Sequence, residues 1–247
     1  MLNIISSPAE TPNEESFRPE PRVGTENNLK WLARNWPASG KQTKLIMVGG
    51  TGQISFRLRV AQSHIRHDLT PSSWSHIMLV DEEKTALEKT TIKEISLNPV
   101  NGFGFPPMTN GVKEVTLNEY RNRSRFPNIA ILGIPVDLDA VRATLERFKK
   151  QRAALDSVDL ILRWLGFCWG VAHSPNPLMD GMGIPSAALL DVVLGAVGFD
   201  LTPGLESRSS CPEAVWQAAR WWRSYYTDQN QTEITGAYCV SHKLMNF

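Results

Sequence analysis

Cysteine is scarce in this sequence, and the shortage excludes two classes at once. Three cysteines in 247 residues cannot build a disulfide framework, and none sits in the paired Cys-x-x-Cys or His-x-x-x-His spacing that would hold zinc. Charge of one sign is missing too. Lys and Arg number 26 against 25 Asp and Glu, a formal net charge of +1, so the basic excess of a polyanion-binding surface is absent. No apolar run reaches the ~18 residues needed to span a bilayer. The N-terminal stretch has no basic region followed by an apolar one, so no secretory signal is expected. Together these absences lead to the expectation of a cytoplasmic protein with no nucleic-acid partner, no transmembrane segment, no metal and no cofactor. Hydrophobic residues are not lacking: they make up 42% of the chain, with 21% charged, enough to bury a core.

Residues 1–26 are rich in Ser, Pro, Glu, Thr and Asn and poor in large apolar groups, which predicts a disordered tail ahead of a single domain over residues 27–247. Leu29, Leu32 and Trp36 share a helical face, with Asn27 or Asn28 as cap. The run TKLIMVGG at 43–50 reads as a buried strand; the GTGQ that closes it lacks the Gly-Lys-Ser/Thr ending of a phosphate loop. A helix is expected from about Ile54 to His64. Strands are then expected at WSHIMLV (74–80), TALEKTT (85–91), IKEISL (92–97), VKEVTL (112–117) and NIAILGI (128–134), with 98–111 a loop.

From Asp137 the periodicity turns helical. Leu138, Val141, Leu145 and Phe148 mark one helix, and Val158, Ile161, Leu162 and Leu165 a second. Residues 166–185 read as a long Gly- and Pro-rich loop, after which Ser186 caps a helix reaching about Phe199. A last helix opens near Cys211 and carries Val215, Ala218, Ala219, Trp222 and Tyr226 on one face. Strands in the first half and helices in the second predict an α+β domain, a small antiparallel sheet packed against helices.

Cys211 is the first candidate for chemistry. Pro212 suits the first position of a helix and Glu213 its first turn, so the thiol sits at the positive end of a helix dipole. That placement predicts a lowered pKa and a usable nucleophile, although a small buried residue at a loop–helix junction has the same pattern. Cys168, in Gly-Phe-Cys-Trp-Gly near His173, is the second candidate, and Cys239 falls on a short terminal strand. A thiol nucleophile needs a base, and His76 is the one histidine inside a clear strand, sharing a face with Met78 and Val80. Its orienting acceptor is expected to be Glu88. With a three-residue hairpin loop of Asp81, Glu82 and Glu83, Val80 pairs with Lys84 and His76 lies across from Glu88; an even loop separates them.

A strand-borne His in Ser75-His76-Ile77-Met78-Leu79, an acceptor about a dozen residues on at Glu88, and a late Cys211 opening a helix resemble the circularly permuted papain-like thiol hydrolases. These are the permuted NlpC-type peptidases and the lecithin–retinol acyltransferase-like enzymes. The resemblance covers about residues 41–226 and departs from the group at Pro212 and in the long 166–186 loop. It implies a permuted papain-like fold and a Cys211–His76–Glu88 triad forming a thioester. The expected activity is that of a cysteine peptidase or amidase, acting on a peptide, protein-conjugate or acyl substrate. Trp74, Phe103 and Phe105 are candidates to line the substrate groove. The alternatives are a lipid-modifying acyltransferase of the same fold and a non-catalytic binding module, which the tryptophans Trp216, Trp221 and Trp222 on one helix would suit.

Overall fold

The computed structural model describes residues 17–37, 42–97, 106–151, 156–228 and 234–241. Its strands are β1 (Phe17–Pro19), β2 (Gln42–Gly49), β3 (His76–Glu82), β4 (Thr91–Glu94), β5 (Lys113–Thr116), β6 (Asn128–Asp137) and β7 (Thr235–Cys239). Its helices are α1 (Asn28–Arg34), α2 (Gln53–Ala61), α3 (Leu138–Lys150), α4 (Ser157–Trp169), α5 (Pro185–Gly195) and α6 (Pro212–Asp228). The strands form one sheet in the order β1-β7-β6-β2-β3-β4-β5. Only the β1–β7 pairing is parallel. The chain is therefore α+β, with a largely antiparallel sheet.

The central strands are buried on both faces, which is why β2, β3 and β6 read as continuous apolar runs rather than alternating ones. Leu45, Met47, Ile77, Leu79, Ala130 and Leu132 face one way, into a core built with α2, α3, α4, α5 and α6. Ile46, Val48, Met78, Val80, Ile129 and Ile131 face the other way, against Leu29, Trp31 and Leu32 of α1 and against Leu117, Tyr120 and Phe126. The helix α5 lies at the centre of the larger core, with Ala187, Ala188, Leu189, Leu190, Val193 and Leu194 all buried. Apolar residues on every side of its sequence match burial on every side. The stretch Val171–Gly195 is apolar enough by composition to pass for a bilayer span, an 18-residue window of it having a mean hydropathy of 1.4 and being 61% buried. It is broken by 3-10 turns at Val171–His173 and Pro177–Asp180. The α5 portion alone is about 16 Å long, half a bilayer core.

Three expectations are corrected here. The segment 17–26 belongs to the fold rather than to a tail: β1 pairs with β7, Arg22 donates to Pro127 O at 2.7 Å and to Asn28 Oδ1 at 2.7 Å, and Trp31 Nε1 donates to Glu20 O at 2.7 Å. Edge pairing by three residues leaves no apolar period to read. The helix α4 runs through Gly166 to Trp169, because Trp164, Leu165 and Cys168 extend its buried stripe; its true stop is Gly170, at φ 67°. Of the expected strand 85–91 only Thr91 is in a strand, as the first residue of β4. Leu87–Lys89 make a 3-10 turn, and Thr90 Oγ1 accepts from Lys84 N at 3.1 Å, folding the connection back on itself.

Removal of residues 1–26 is expected to lower the melting temperature by at least about 4 °C relative to removal of residues 1–16. Loss of the Arg22 and Glu20 hydrogen bonds amounts to roughly 2 kcal/mol or more. Matching melting curves for the two truncations would show that β1 adds nothing.

Candidate active site

The site is built on the last residue of β4. Glu94 is 1% exposed, and its Oε2 is shared by His76 Nε2 at 2.8 Å and the Tyr120 hydroxyl at 2.6 Å. Lys113 Nζ lies 3.1 Å from Oε1. It makes an ion pair but no aligned hydrogen bond, since Oε1 has no hydrogen-bond partner among the described residues. The sheet explains the convergence. Glu94 pairs directly with Lys113 across β4 and β5. The β3–β4 register, Leu79 with Lys93 and Val80 with Ile92, carried along both chains places Ser96 opposite His76. Glu94 is then the diagonal neighbour on the same face, within reach of a long side chain. The Tyr120 ring stacks on the His76 imidazole at a centroid distance of 6.0 Å and 16° between planes.

The electrostatics fix the roles. Burial alone would raise the Glu94 pKa, but the attraction and hydrogen bond of His76, the Lys113 ammonium and the Tyr120 hydroxyl outweigh it and bring the carboxyl down to about 2. Tyr120 is pushed well above its ordinary value, by burial first and then by the Glu94 charge, so its hydroxyl stays protonated and donates. An ionised carboxylate only accepts. His76 Nε2 therefore donates to Glu94, and when the ring carries a single proton Nδ1 is the nitrogen left to act as a base.

His76 opens onto a small cavity at the end of β3 where the two cores meet. Leu58, Ile95, Leu97 and Ile184 wall it from one side and Tyr120 and Phe126 from the other; Ile54, Ser55, Ser75, Ser96, Pro185 and Ser186 complete it. Its free volume is about 10 Å³, room for about one water. Ser186 stands in the first turn of α5, is 1% exposed, and its Oγ has no hydrogen-bond partner among the described residues. The helices α1, α3 and α4 are each capped by an Asn or Asp side chain, whereas α2 and α5 start at Gly52 and Ile184 with no side-chain cap. These two uncapped starts are the ones that border the cavity. In α5, Pro185 has no N–H and Ala187 N is bonded to Ile184 O, and the Ser186 amide lies in the first turn, where a helix's N–H groups have no partner four residues back. Gly183 sets this helix start against the 208–210 backbone: a Cβ there would lie 2.6 Å from Arg208 O and 2.7 Å from Ser210 N.

The sequence-derived triad is only partly assembled. His76 is on its strand with an acidic partner, but that partner is Glu94. Glu88 sits in the 3-10 turn Leu87–Lys89, and a bulge at Asp81, between the pairs Val80–Ile92 and Glu82–Thr91, removes the expected register. Cys211 does precede α6, yet it is 2% exposed in the larger core and is absent from the cavity wall. Burial dominates its titration, the Ala214 amide offsets only part, and the thiol is pushed up to about 12. Cys168 is buried on α4 and likewise raised to about 12 by burial, with Arg57 opposing weakly. Trp74 lines no groove: it is fully buried, with its ring centroid 4.8 Å from that of Trp216. Phe103 and Phe105 lie outside the described residues. Among the described residues, no three His, Cys, Asp or Glu side chains converge as metal ligands would. The sequence reading passed over Glu94, Tyr120, Lys113 and the chemistry of Ser186. One signal was present: Pro185-Ser186 ahead of an apolar helix uses the same elements as Cys211-Pro212.

No family model, characterised protein or solved structure matches this chain.

Two outcomes are expected. Glu94→Gln is less stable than the parent at pH 7 by about 3 kcal/mol. The folded pKa lies below the ordinary 4.5, so this contribution is present above pH ~4.5 and is lost as pH falls toward ~2. Urea unfolding at pH 7, 5 and 3 should show the gap closing, and a pH-independent gap would contradict the ionised carboxylate. In native protein, iodoacetamide should label the half-buried Cys239 first, with Cys211 and Cys168 reacting only as the chain unfolds; peptide mapping reads the order.

Proposed function

We propose that the chain is an acyl-transfer enzyme, a hydrolase in its simplest form, in which Ser186 is the nucleophile, His76 the base and Glu94 the residue that orients the base. The observation that carries this reading is the unpartnered, buried Ser186 hydroxyl in the wall of the cavity that His76 enters. The order of parts still resembles the permuted papain-like thiol hydrolases: strand His, acceptor on the next strand, nucleophile opening a later helix. Ser186 replaces Cys211 as that nucleophile, and Glu94 replaces Glu88 as the acceptor.

In this mechanism His76 Nδ1 takes the proton of Ser186 Oγ, and the oxygen bonds to the carbonyl carbon of an ester or amide. The Ser186 N–H, in the first turn of the helix, is the natural donor to the oxyanion. The carbon–oxygen or carbon–nitrogen bond to the leaving group breaks, and the leaving group takes the proton from His76. Water then attacks the Ser186 ester, gives its proton to Nδ1, and releases the carboxylic acid and the serine hydroxyl. An amine or alcohol in place of water makes the reaction a transfer. Ser186 Oγ makes no hydrogen bond to His76, and such catalytic bonds commonly tighten only with substrate bound.

One observation favours a second reading, a binding module without catalysis: the cavity holds about one water and no substrate-sized space. A fluorophosphonate probe separates the two. The catalytic reading expects a single adduct by intact mass, mapped to Ser186, lost in Ser186→Ala and slowed about 100-fold or more in His76→Ala, and retained in Cys211→Ala. No adduct at high probe concentration and long incubation would leave the binding module.

A further inference from the structure

The walls of the cavity speak to what the site accepts. Leu58, Ile95, Leu97 and Phe126 are apolar and buried, and the polar groups beside them are hydroxyls and one imidazole. Among the described residues no Lys or Arg side chain lines the space. The Lys113 ammonium beside Glu94 is engaged by that carboxylate. A carboxylate or phosphate on the acyl side would enter with no cation to meet it, and burying such a charge unpaired is strongly unfavourable. Size points the same way. The free volume is about 10 Å³, so each methylene that enters must displace packed side chains, at a growing cost.

We infer that the acyl group taken by this site is short, apolar and uncharged, and that Leu97 and Phe126 set its length. The inference rests on the Ser186 reading and adds to it the substrate class. Leu97 belongs to the larger core and Phe126 to the opposite one, and both line the cavity, so the two bound the space from different layers and are the side chains that must give way as the acyl chain lengthens.

The test uses the full chain and nitrophenyl esters of acetate, butyrate, octanoate and succinate, with the fluorophosphonate adduct on Ser186 as a separate measure of the nucleophile. Acetate and butyrate should exceed succinate by about 100-fold or more in kcat/KM, and should exceed octanoate by about tenfold or more. Leu97→Ala and Phe126→Ala should shift the preference toward octanoate while succinate stays poor. Leu97→Val, a smaller change that spares folding, should give an intermediate shift. If the adduct forms on Ser186 but succinate reacts as well as butyrate, the substrate inference fails and the nucleophile stands. If octanoate is preferred by the parent chain, the length limit fails. If no adduct forms, both fail together.

Discussion

The carboxylate of Glu94 is the constraint around which this end of the molecule is arranged. It is fully inside the protein and still ionised, which is possible only because three groups from three places surround it: His76 from β3, Lys113 from β5 and Tyr120 from the turn after β5. Removing any one of them leaves a buried charge short of a partner, and that is costlier than losing an exposed pair. The same contacts fix strand register. A one-residue slip of β4 would send Glu94 to the opposite face, into the apolar core with α5, and leave His76 and Lys113 unmatched. The pairing of β3, β4 and β5 and the tautomer of His76 are thus set by one group.

The broad layout was legible because it depends on local pattern. Continuous apolar runs located β2, β3 and β6, and the 3.6-residue period with an Asp at the start located α3. The α6 boundary followed from a proline at its first position. The misreadings arose where a non-local contact decides. The bulge at Asp81 and the turn at Leu87–Lys89 depend on how the β3–β4 connection folds over itself, so the distance from His76 to its acceptor could not be counted along the chain. Glu94 lies beyond the turn, between Lys93 and Ile95, and nothing in that triplet reveals that Lys113 and Tyr120 will arrive beside it. β1 gains its place only because β7 offers an edge some 220 residues later in the chain.

Cys211 shows how a correct local reading produces a wrong chemical one. The helix start is where the sequence puts it, and its amides do favour a thiolate. That contribution is on the order of 1 kcal/mol, up to ~2 when partly buried. Removing the sulfur from water raises the pKa from 9.0 to about 12, roughly 4 kcal/mol in the other direction. Burial wins, and burial is the property that position in a sequence reveals least. The first turn of α6 has a structural use instead: Glu213 N donates to Gln62 Oε1 at 2.8 Å, and its carboxylate takes Ser72 at 2.6 Å and Arg66 at 3.0 Å, tying α6 to the approach to β3.

At the start of α5 the same balance runs the other way. A serine hydroxyl titrates far above neutrality wherever it sits, so burial does not remove its usefulness as it does for a thiol; what it needs is a base that can take the proton during reaction. The hydroxyl of Ser186 is left without a partner among the described residues, an arrangement that costs roughly 1–3 kcal/mol. An alanine there would fill nearly the same volume without that cost, in a helix whose neighbouring positions, Ala187 and Ala188, already are alanines. Packing gives no reason for the hydroxyl. The helix start has no side-chain cap, its proline removes one amide, and the cavity it borders holds a histidine whose Nε2 is hydrogen-bonded to a buried carboxylate. Each feature is neutral or unfavourable for stability taken singly, and each acquires a use once a carbonyl carbon is placed between Ser186 and His76.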